Sequence, residues 1–217
     1  MKNLYFFIIL IIVIMTNQLK AQENENMGYI IKYDLISLLG DQVTNSSGIK
    51  LGVEMVYNQS RSIAIDAMYI FPCASCTRAY TTITSASTYG WLLAAEYRYY
   101  LVYGKRPLSE LHLGPQIFYQ HTKSEMRETY DGGLENQYQV YRDLVAAHAM
   151  VGYQLRIAGP VYFDPAIGLG LRFISSRNEN KKGADSGQHE YPYDKNFESG
   201  SEWFSSFNFN IKIGLKL

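Results

Sequence analysis

The last eleven residues alternate without a break between apolar and polar side chains. Phenylalanine, isoleucine and leucine occupy every second position from Phe207 to Leu217, and asparagine, lysine and glycine occupy the positions between them. Successive side chains of a β-strand point to opposite faces, so this pattern predicts a strand with one apolar and one polar face. Such a strand needs an apolar environment on one side and a polar environment on the other.

The same period of two recurs along the rest of the chain. It is strongest in residues 91–101 and 111–120, and a weaker form occupies residues 29–39, 49–57, 62–71, 144–156 and 161–174. Together with the final segment this gives about eight strands of roughly ten residues, the length that crosses a bilayer when a strand is tilted. No segment beyond the first 21 residues carries a long helical stripe. The sequence therefore predicts an all-β fold.

The connections between these strands alternate in length. Long connections span residues 41–47, 72–89, 123–139 and 175–201, and short ones span residues 58–61, 103–107 and 157–160. Outer-membrane barrels have short periplasmic turns at one end and longer extracellular loops at the other. The alternation predicts an eight-stranded antiparallel transmembrane up-and-down β-barrel with this arrangement of turns and loops.

Alternation alone does not decide which face points outward, because a soluble lipocalin-like barrel would place its apolar face inside. The charged residues share their face with glycines and alanines such as Gly52 and Ala94, which suits the cramped interior of a narrow barrel. Aromatic residues cluster near strand ends on the apolar face, as in interface girdles. The apolar face is therefore predicted to face lipid, and the interior is predicted to hold a charge network of Lys50, Glu54, Asp66, Glu96, Arg98, Asp164, Arg172 and Lys212.

The predicted interior charges come in both signs. The acidic residues Glu54, Asp66 and Glu96 are expected to pair across strands with the basic residues Lys50, Arg98, Arg172 and Lys212. A network of this kind fills a narrow lumen, whereas aqueous pores need barrels of roughly sixteen strands. A plugged lumen is favoured over a transport path, and a narrow channel stays an alternative.

The N-terminus has the features of a secretory signal peptide. Lys2 supplies a positive charge, residues 4–15 are aliphatic, aromatic or methionine, and Ala21 provides a small residue before a cleavage site. The apolar run is shorter than the roughly 20 residues that a membrane-spanning helix needs. We expect residues 1–21 to be a cleaved signal peptide and residues 22–217 to form one barrel domain. A lipid anchor is not expected, because the residue directly after the cleavage site is Gln22 and not a cysteine.

Three short motifs resemble a known group of proteins. They are Ile31-Lys32-Tyr33-Asp34-Leu35, Leu51-Gly52-Val53-Glu54 and Glu96-Tyr97-Arg98-Tyr99-Tyr100-Leu101, which lie in the first, second and fourth predicted strands. The sequence resembles the small, uncharacterised outer-membrane barrels common in Bacteroidota, a family without an assigned function. The resemblance implies this fold and an outer-membrane location, and it implies no catalytic residues.

The final strand also resembles the signal that the barrel-assembly machinery recognises in outer-membrane barrels. That signal is an alternating apolar strand at the C-terminus and usually ends in an aromatic residue, whereas this chain ends in Leu217. The resemblance implies the assembly machinery as a partner of the folding chain.

Candidate chemistry is sparse. The formal net charge is +0, so the chain lacks the basic excess that nucleic-acid binding requires. His112, His121, His148 and His189 are widely spaced and form no metal-ligand motif, and no cofactor is expected. A Ser–His–acid triad around His112 or His148 has no local motif to support it.

The two cysteines, Cys73 and Cys76, lie in a predicted extracellular loop. In a thioredoxin-like context their spacing would indicate redox catalysis, but no βαβ pattern surrounds them. An exported protein meets an oxidising environment, so a structural disulfide that pins the loop is favoured.

Three function classes stay open. The favoured one is a non-enzymatic barrel in contact with outer-membrane lipid, which stabilises the cell envelope or displays its long loops to an extracellular ligand or protein. An outer-membrane enzyme acting on lipid would need a serine or histidine that faces the bilayer near the outer leaflet. The third class is a narrow channel.

Overall fold

The computed structural model describes residues 28–38, 46–58, 60–72, 83–101, 111–129, 135–180 and 199–217. Within these ranges the chain forms nine β-strands and one 3-10 helix, Ile36–Leu38. The strands are β1 (Gly28–Asp34), β2 (Ser46–Asn58), β3 (Arg61–Pro72), β4 (Ile83–Tyr100), β5 (Leu111–Thr129), β6 (Glu135–Tyr153), β7 (Leu155–Ala158), β8 (Val161–Glu179) and β9 (Gly200–Lys216). No helix in these ranges has the length and apolar character to span a membrane.

The strands form one antiparallel sheet that closes on itself. The order is β6-β5-β4-β3-β2-β1-β9-β8-β7, and β6 also pairs with β8. This additional pairing closes a ring of eight strands. The ninth strand, β7, is a four-residue segment that follows β6 in the chain and pairs with the start of β8. The predicted all-β, antiparallel, eight-strand arrangement is confirmed at this level.

Several strands are longer than the sequence predicted. The β5–β6 ladder runs from Leu111 opposite Tyr153 to Thr129 opposite Glu135, so much of the expected loop 123–139 is strand. The strands β4 and β8 likewise extend into the expected loops 72–89 and 175–201. The outward side chains of these extensions are mostly polar, so apolar and polar residues no longer alternate in the sequence. The backbone hydrogen bonds between the strands nevertheless continue. The short turns at 58–61 and 157–160 are confirmed by the strand ends that flank them.

The ring carries its apolar side chains on the outside. Ile65 is 59% exposed and Leu169 66% exposed, whereas Glu54 and Arg98 are fully buried in the interior. The alternative of a lipocalin-like barrel, whose apolar side chains would point into the interior, is therefore wrong. We call the outward zone of aliphatic and aromatic side chains, from the short turns up to the level of Tyr119 and Trp203, the apolar band.

Two small apolar clusters lie in the interior, one on each side of its charged centre. Ile30, Val56 and Tyr100 pack together near the short turns. Leu144, Ala146 and Ile174 pack near the opposite end, with Phe118 and Phe204 against them. The interior polar residues between these clusters form the first candidate site.

Candidate functional site: an interior charge network and an outward polar face

Arg98 lies at the centre of the interior network. Its Nη1 is 2.6 Å from Oδ2 of Asp164 and 3.3 Å from Oε2 of Glu54. Its Nη2 donates to Oε2 of Glu96 over 2.9 Å. The guanidinium fork therefore contacts three carboxylates that come from three different strands, an arrangement that suits arginine because its donors are planar and fixed.

Lys32 is the second cation of this cluster, and it was absent from the network predicted from the sequence. Its Nζ is 2.5 Å from Oδ2 of Asp164, contacts Glu54, and donates to Oε1 of Gln154 over 2.5 Å. The signal for Lys32 was present in the sequence, since it lies on the same face of β1 as the inward residues Ile30 and Asp34. The charge of the cluster is thus shared between two cations, Lys32 and Arg98.

Neutral donors complete the coordination of the buried carboxylates. The hydroxyls of Tyr100 and Ser62 each donate to Oε1 of Glu54 over 2.5 Å. The Nε2 atom of His112 lies 2.9 Å from Oδ1 of Asp164. Buried charges are tolerated only when they are paired and hydrogen-bonded in this way, so the cluster acts as one coupled unit.

A second group of ion pairs lies beside the first. Lys212 of β9 donates to Oδ2 of Asp66 on β3 over 2.6 Å. Lys50 donates to Oδ2 of Asp34 over 2.8 Å and to Oδ1 of Asn210 over 2.9 Å. The carboxylate partner of Lys50 is therefore Asp34, which was not among the residues of the predicted network.

Two glycines make room for the network. A Cβ atom at Gly52 would overlap the carboxylate of Asp66, and a Cβ atom at Gly152 would overlap the ring of His112. These positions suit glycine because polar side chains from neighbouring strands pass directly over them.

Arg172 stands apart from the network. It lies over the ring of Phe204 at 5.6 Å from the centroid, and it pairs with no carboxylate in the described part of the chain. Its strand neighbours are Ala146 and Phe204, so the register offers it an aromatic partner. The expected ion pair of Arg172 is not formed with Glu54, Asp66 or Glu96.

The interior histidines each have part of a catalytic triad. His148 Nε2 lies 2.8 Å from the hydroxyl of Ser206, and the ring stacks on Phe118, but no described carboxylate contacts its Nδ1. His112 contacts Asp164 but has no described serine beside it. A Ser–His–acid arrangement is therefore not assembled among the described residues.

A third histidine lies on the outside of the ring, at the upper edge of the apolar band. Oδ1 of Asp143 accepts from the hydroxyl of Tyr119 over 2.5 Å and lies 2.8 Å from Nδ1 of His121. Ser175 is the neighbour of Asp143 on the side away from His121, so it does not complete a triad either.

Two cations, the half-buried Lys123 and the exposed Arg177, lie directly above this cluster. Lys123 Nζ is 5.6 Å and the Arg177 guanidinium carbon 5.0 Å from the ring centroid of Tyr141, which stands between them on β6. Neither cation has an ion pair with another described residue. The Tyr141 ring therefore contacts both cations through cation–π interactions.

Farther from the apolar band, the same face has a polar cavity of about 400 Å³. Most of its lining comes from outward side chains of the extended hairpins, which are Ser87, Glu125, Arg127, Gln137, Gln139 and Asn180. We call this cavity, together with Lys123, Tyr141 and Arg177 below it, the outward polar face.

Cys73 and Cys76, the predicted disulfide, lie outside the described residues, as do residues 1–21 of the predicted signal peptide. Among the described residues no three histidine, cysteine, aspartate or glutamate side chains gather in a metal-binding arrangement. Comparison with family models, curated proteins and solved structures found no match to this chain.

Proposed function

We propose that this protein is a β-barrel of the bacterial outer membrane with a plugged interior, and that it presents its extended hairpins outside the cell as a binding surface. The single observation that carries the proposal is the distribution of side chains on the closed ring. Aliphatic and aromatic side chains are exposed around its outside, and paired charges fill its inside.

Water is a poor solvent for such an outer surface. Soluble proteins rarely expose a contiguous apolar patch larger than a few hundred Å². Here exposed residues such as Leu51, Ile65, Leu93, Ile117 and Leu169 surround the ring on five different strands. In lipid this surface needs no cover, and the closed ring satisfies the backbone hydrogen bonds that a bilayer cannot.

Aromatic residues at both edges of the apolar band support the same proposal. Tyr99 and Tyr153 are exposed near the short turns, and Trp91 and Trp203 are exposed near the other edge. The length of β8 from Phe163 to Phe173, projected on the axis of a barrel with typically tilted strands, is roughly 25 Å. That height matches the apolar zone of outer-membrane barrels, where such girdles lie at the two interfaces.

The hairpins that extend beyond the band lie opposite the short turns. In outer-membrane barrels the short turns are periplasmic, so the extensions of β4, β5, β6 and β8 would stand outside the cell. Their strands provide a rigid support for loops, which is the usual arrangement for surface recognition. The interior favours a scaffold over a channel, since its cations and carboxylates pair across the lumen.

The resemblance to the small barrels of Bacteroidota and the N-terminal signal pattern are consistent with this location. On this proposal the chain is exported, loses residues 1–21, and is inserted by the barrel-assembly machinery through its final strand. Outer-membrane lipid is then its principal partner.

Surface labelling of intact cells tests the proposal. In a Cys73→Ser, Cys76→Ser background, Gln137→Cys places a thiol on the extension and Ala158→Cys places one at a short turn. We expect a membrane-impermeant maleimide to label the first in intact cells and the second only after the outer membrane is permeabilised. The protein should also need detergent for extraction and migrate differently on a gel when unboiled. Recovery as a detergent-free soluble monomer would contradict the proposal.

A further inference from the structure

We propose that the outward polar face binds one phosphorylated glycolipid of the outer leaflet, with a phosphate held by Lys123 and Arg177 and sugars held in the cavity above them. This inference rests on the proposed function, because it requires the apolar band to lie in the membrane. It assigns a ligand class to a surface for which the proposed function names none.

The order of chemistry along this face matches the order of groups in such a lipid. Leu93, Ile117 and Leu171 expose aliphatic side chains within the apolar band. Trp91 then packs against Tyr119 with ring centroids 5.2 Å apart, at the edge of the band. The cations and then the polar cavity follow toward the strand tips, as phosphates and then sugars follow acyl chains.

Lys123 and Arg177 are suited to a phosphate. Lys123 on β5 and Arg177 on β8 are the two register partners of Tyr141 on β6, and both contact its ring. Tyr141 lies two residues from Asp143 on the same strand, in the direction away from the apolar band. The nearest carboxylate below them, Asp143, already accepts from Tyr119 and His121, so its charge is engaged. Cationic donors that lack an ion-pair partner bind phosphate oxygens through charge-assisted hydrogen bonds.

The cavity above the cations is suited to hydroxyl-rich rings. Its lining combines the amides of Gln137 and Gln139 with the carboxylate of Glu125 and the guanidinium of Arg127, so it offers donors and acceptors with no net formal charge. Its volume of about 400 Å³ lies within the range of ligand sites. Because these side chains project from paired strands, the backbone positions that carry them are set before a ligand arrives.

The height of the cavity separates a glycolipid from a phospholipid. Glu125 lies six residues beyond Tyr119 on β5, which corresponds to roughly 15 Å along the barrel axis. A phospholipid headgroup ends near the level of the cations and would leave the cavity unused. A lipid with phosphorylated sugars on its acyl chains reaches both levels.

Native mass spectrometry of the detergent-solubilised protein tests this assignment with three probes. They are a rough lipopolysaccharide with inner-core sugars, its lipid A portion alone, and phosphatidylglycerol. We expect the lipopolysaccharide to bind most tightly and phosphatidylglycerol most weakly, with about a tenfold change in affinity for each lost group of contacts. Equal affinity for all three probes would overturn the assignment.

Variants locate the site. Lys123→Gln with Arg177→Gln should weaken lipopolysaccharide and lipid A binding by about tenfold or more, because charge-assisted bonds to phosphate are lost. Ser87→Ala with Gln137→Ala should weaken binding of the lipopolysaccharide and leave lipid A binding unchanged. Arg156→Gln is the matched control, since it removes an exposed cation at the opposite end of the ring.

The outcomes distinguish this inference from the proposed function. If Lys123→Gln with Arg177→Gln binds lipopolysaccharide as the wild type does, the site is overturned even though the protein inserts in membranes and is heat-modifiable. If the protein is soluble without detergent, the proposed function fails first.

Discussion

Arg98 and Asp164 form an ion pair across the inside of the ring, with 2.6 Å between Nη1 and Oδ2. Their strands, β4 and β8, are not neighbours, because β5 and β6 lie between them in the sheet. One arginine therefore reaches over two intervening strands, and the same guanidinium also contacts Glu54 and Glu96. The interior is narrow enough for its own side chains to hold distant strands together.

Replacing the central cation should destabilise the fold strongly. Arg98→Met keeps much of the side-chain volume, but it removes the arginine partner of Glu96 and leaves Lys32 as the cation in contact with Glu54 and Asp164. Breaking a buried pair in this way costs about 3–5 kcal/mol. Urea unfolding in detergent or lipid should show this loss, and Arg177→Met, which removes an exposed arginine, should change stability by less than about 1 kcal/mol. Equal stability of the two variants would contradict the proposed contribution of the network to the free energy of unfolding.

The ion pair between Lys212 and Asp66 should behave as a coupled unit. Lys212→Met and Asp66→Asn each leave a buried group without its partner, so each single variant should be destabilised more than the double variant. A double-mutant cycle should give a coupling free energy of about 1–3 kcal/mol. Additive effects of the two changes would show that the pair contributes no coupling.

The apolar band can be tested at a single exposed leucine. Leu169 is 66% exposed, so in water Leu169→Arg would change stability little. On the lipid face near the bilayer midplane, an arginine costs about 2–4 kcal/mol. We expect Leu169→Arg to reduce the amount of assembled, heat-modifiable protein, while Leu169→Met has no effect.

A control on the same strand and face sharpens this test. Ser175→Arg places the new charge above the band, where the cost falls to about 0–1 kcal/mol. It should therefore assemble like the wild type. Loss of assembly in both arginine variants, or in neither, would argue that the band does not face lipid.

The lumen is expected to be closed to ions. About eight strands enclose an interior just wide enough for side chains, and Arg98 and Lys212 each reach over two intervening strands to an acidic partner. Purified native protein in planar bilayers should give no large, stable conductance steps. Reproducible steps in the wild-type protein would make a narrow channel the better proposal, and Arg98→Ala would then be expected to change their size.

The period of two along the sequence predicted about eight strands, in agreement with the ring of eight, and it predicted the two faces of each strand. The glycines and alanines beside the charged residues then indicated which face points inward. These properties are local, because the direction of a side chain alternates along any strand regardless of its neighbours. Alternation along β1 could also have placed Lys32 and Asp34 on the inner face, although the network predicted from sequence left them out.

Only the tertiary structure decided which charges meet. Ring closure through β6 and β8 and the register of each ladder bring Arg98 to Asp164 and Lys212 to Asp66, and they place Arg172 beside Phe204 instead of a carboxylate. The polar strand extensions were also hidden, because backbone hydrogen bonds sustain a ladder whatever the side chains are. Alternation reports the direction of a side chain, while its partner depends on strands far away in the chain.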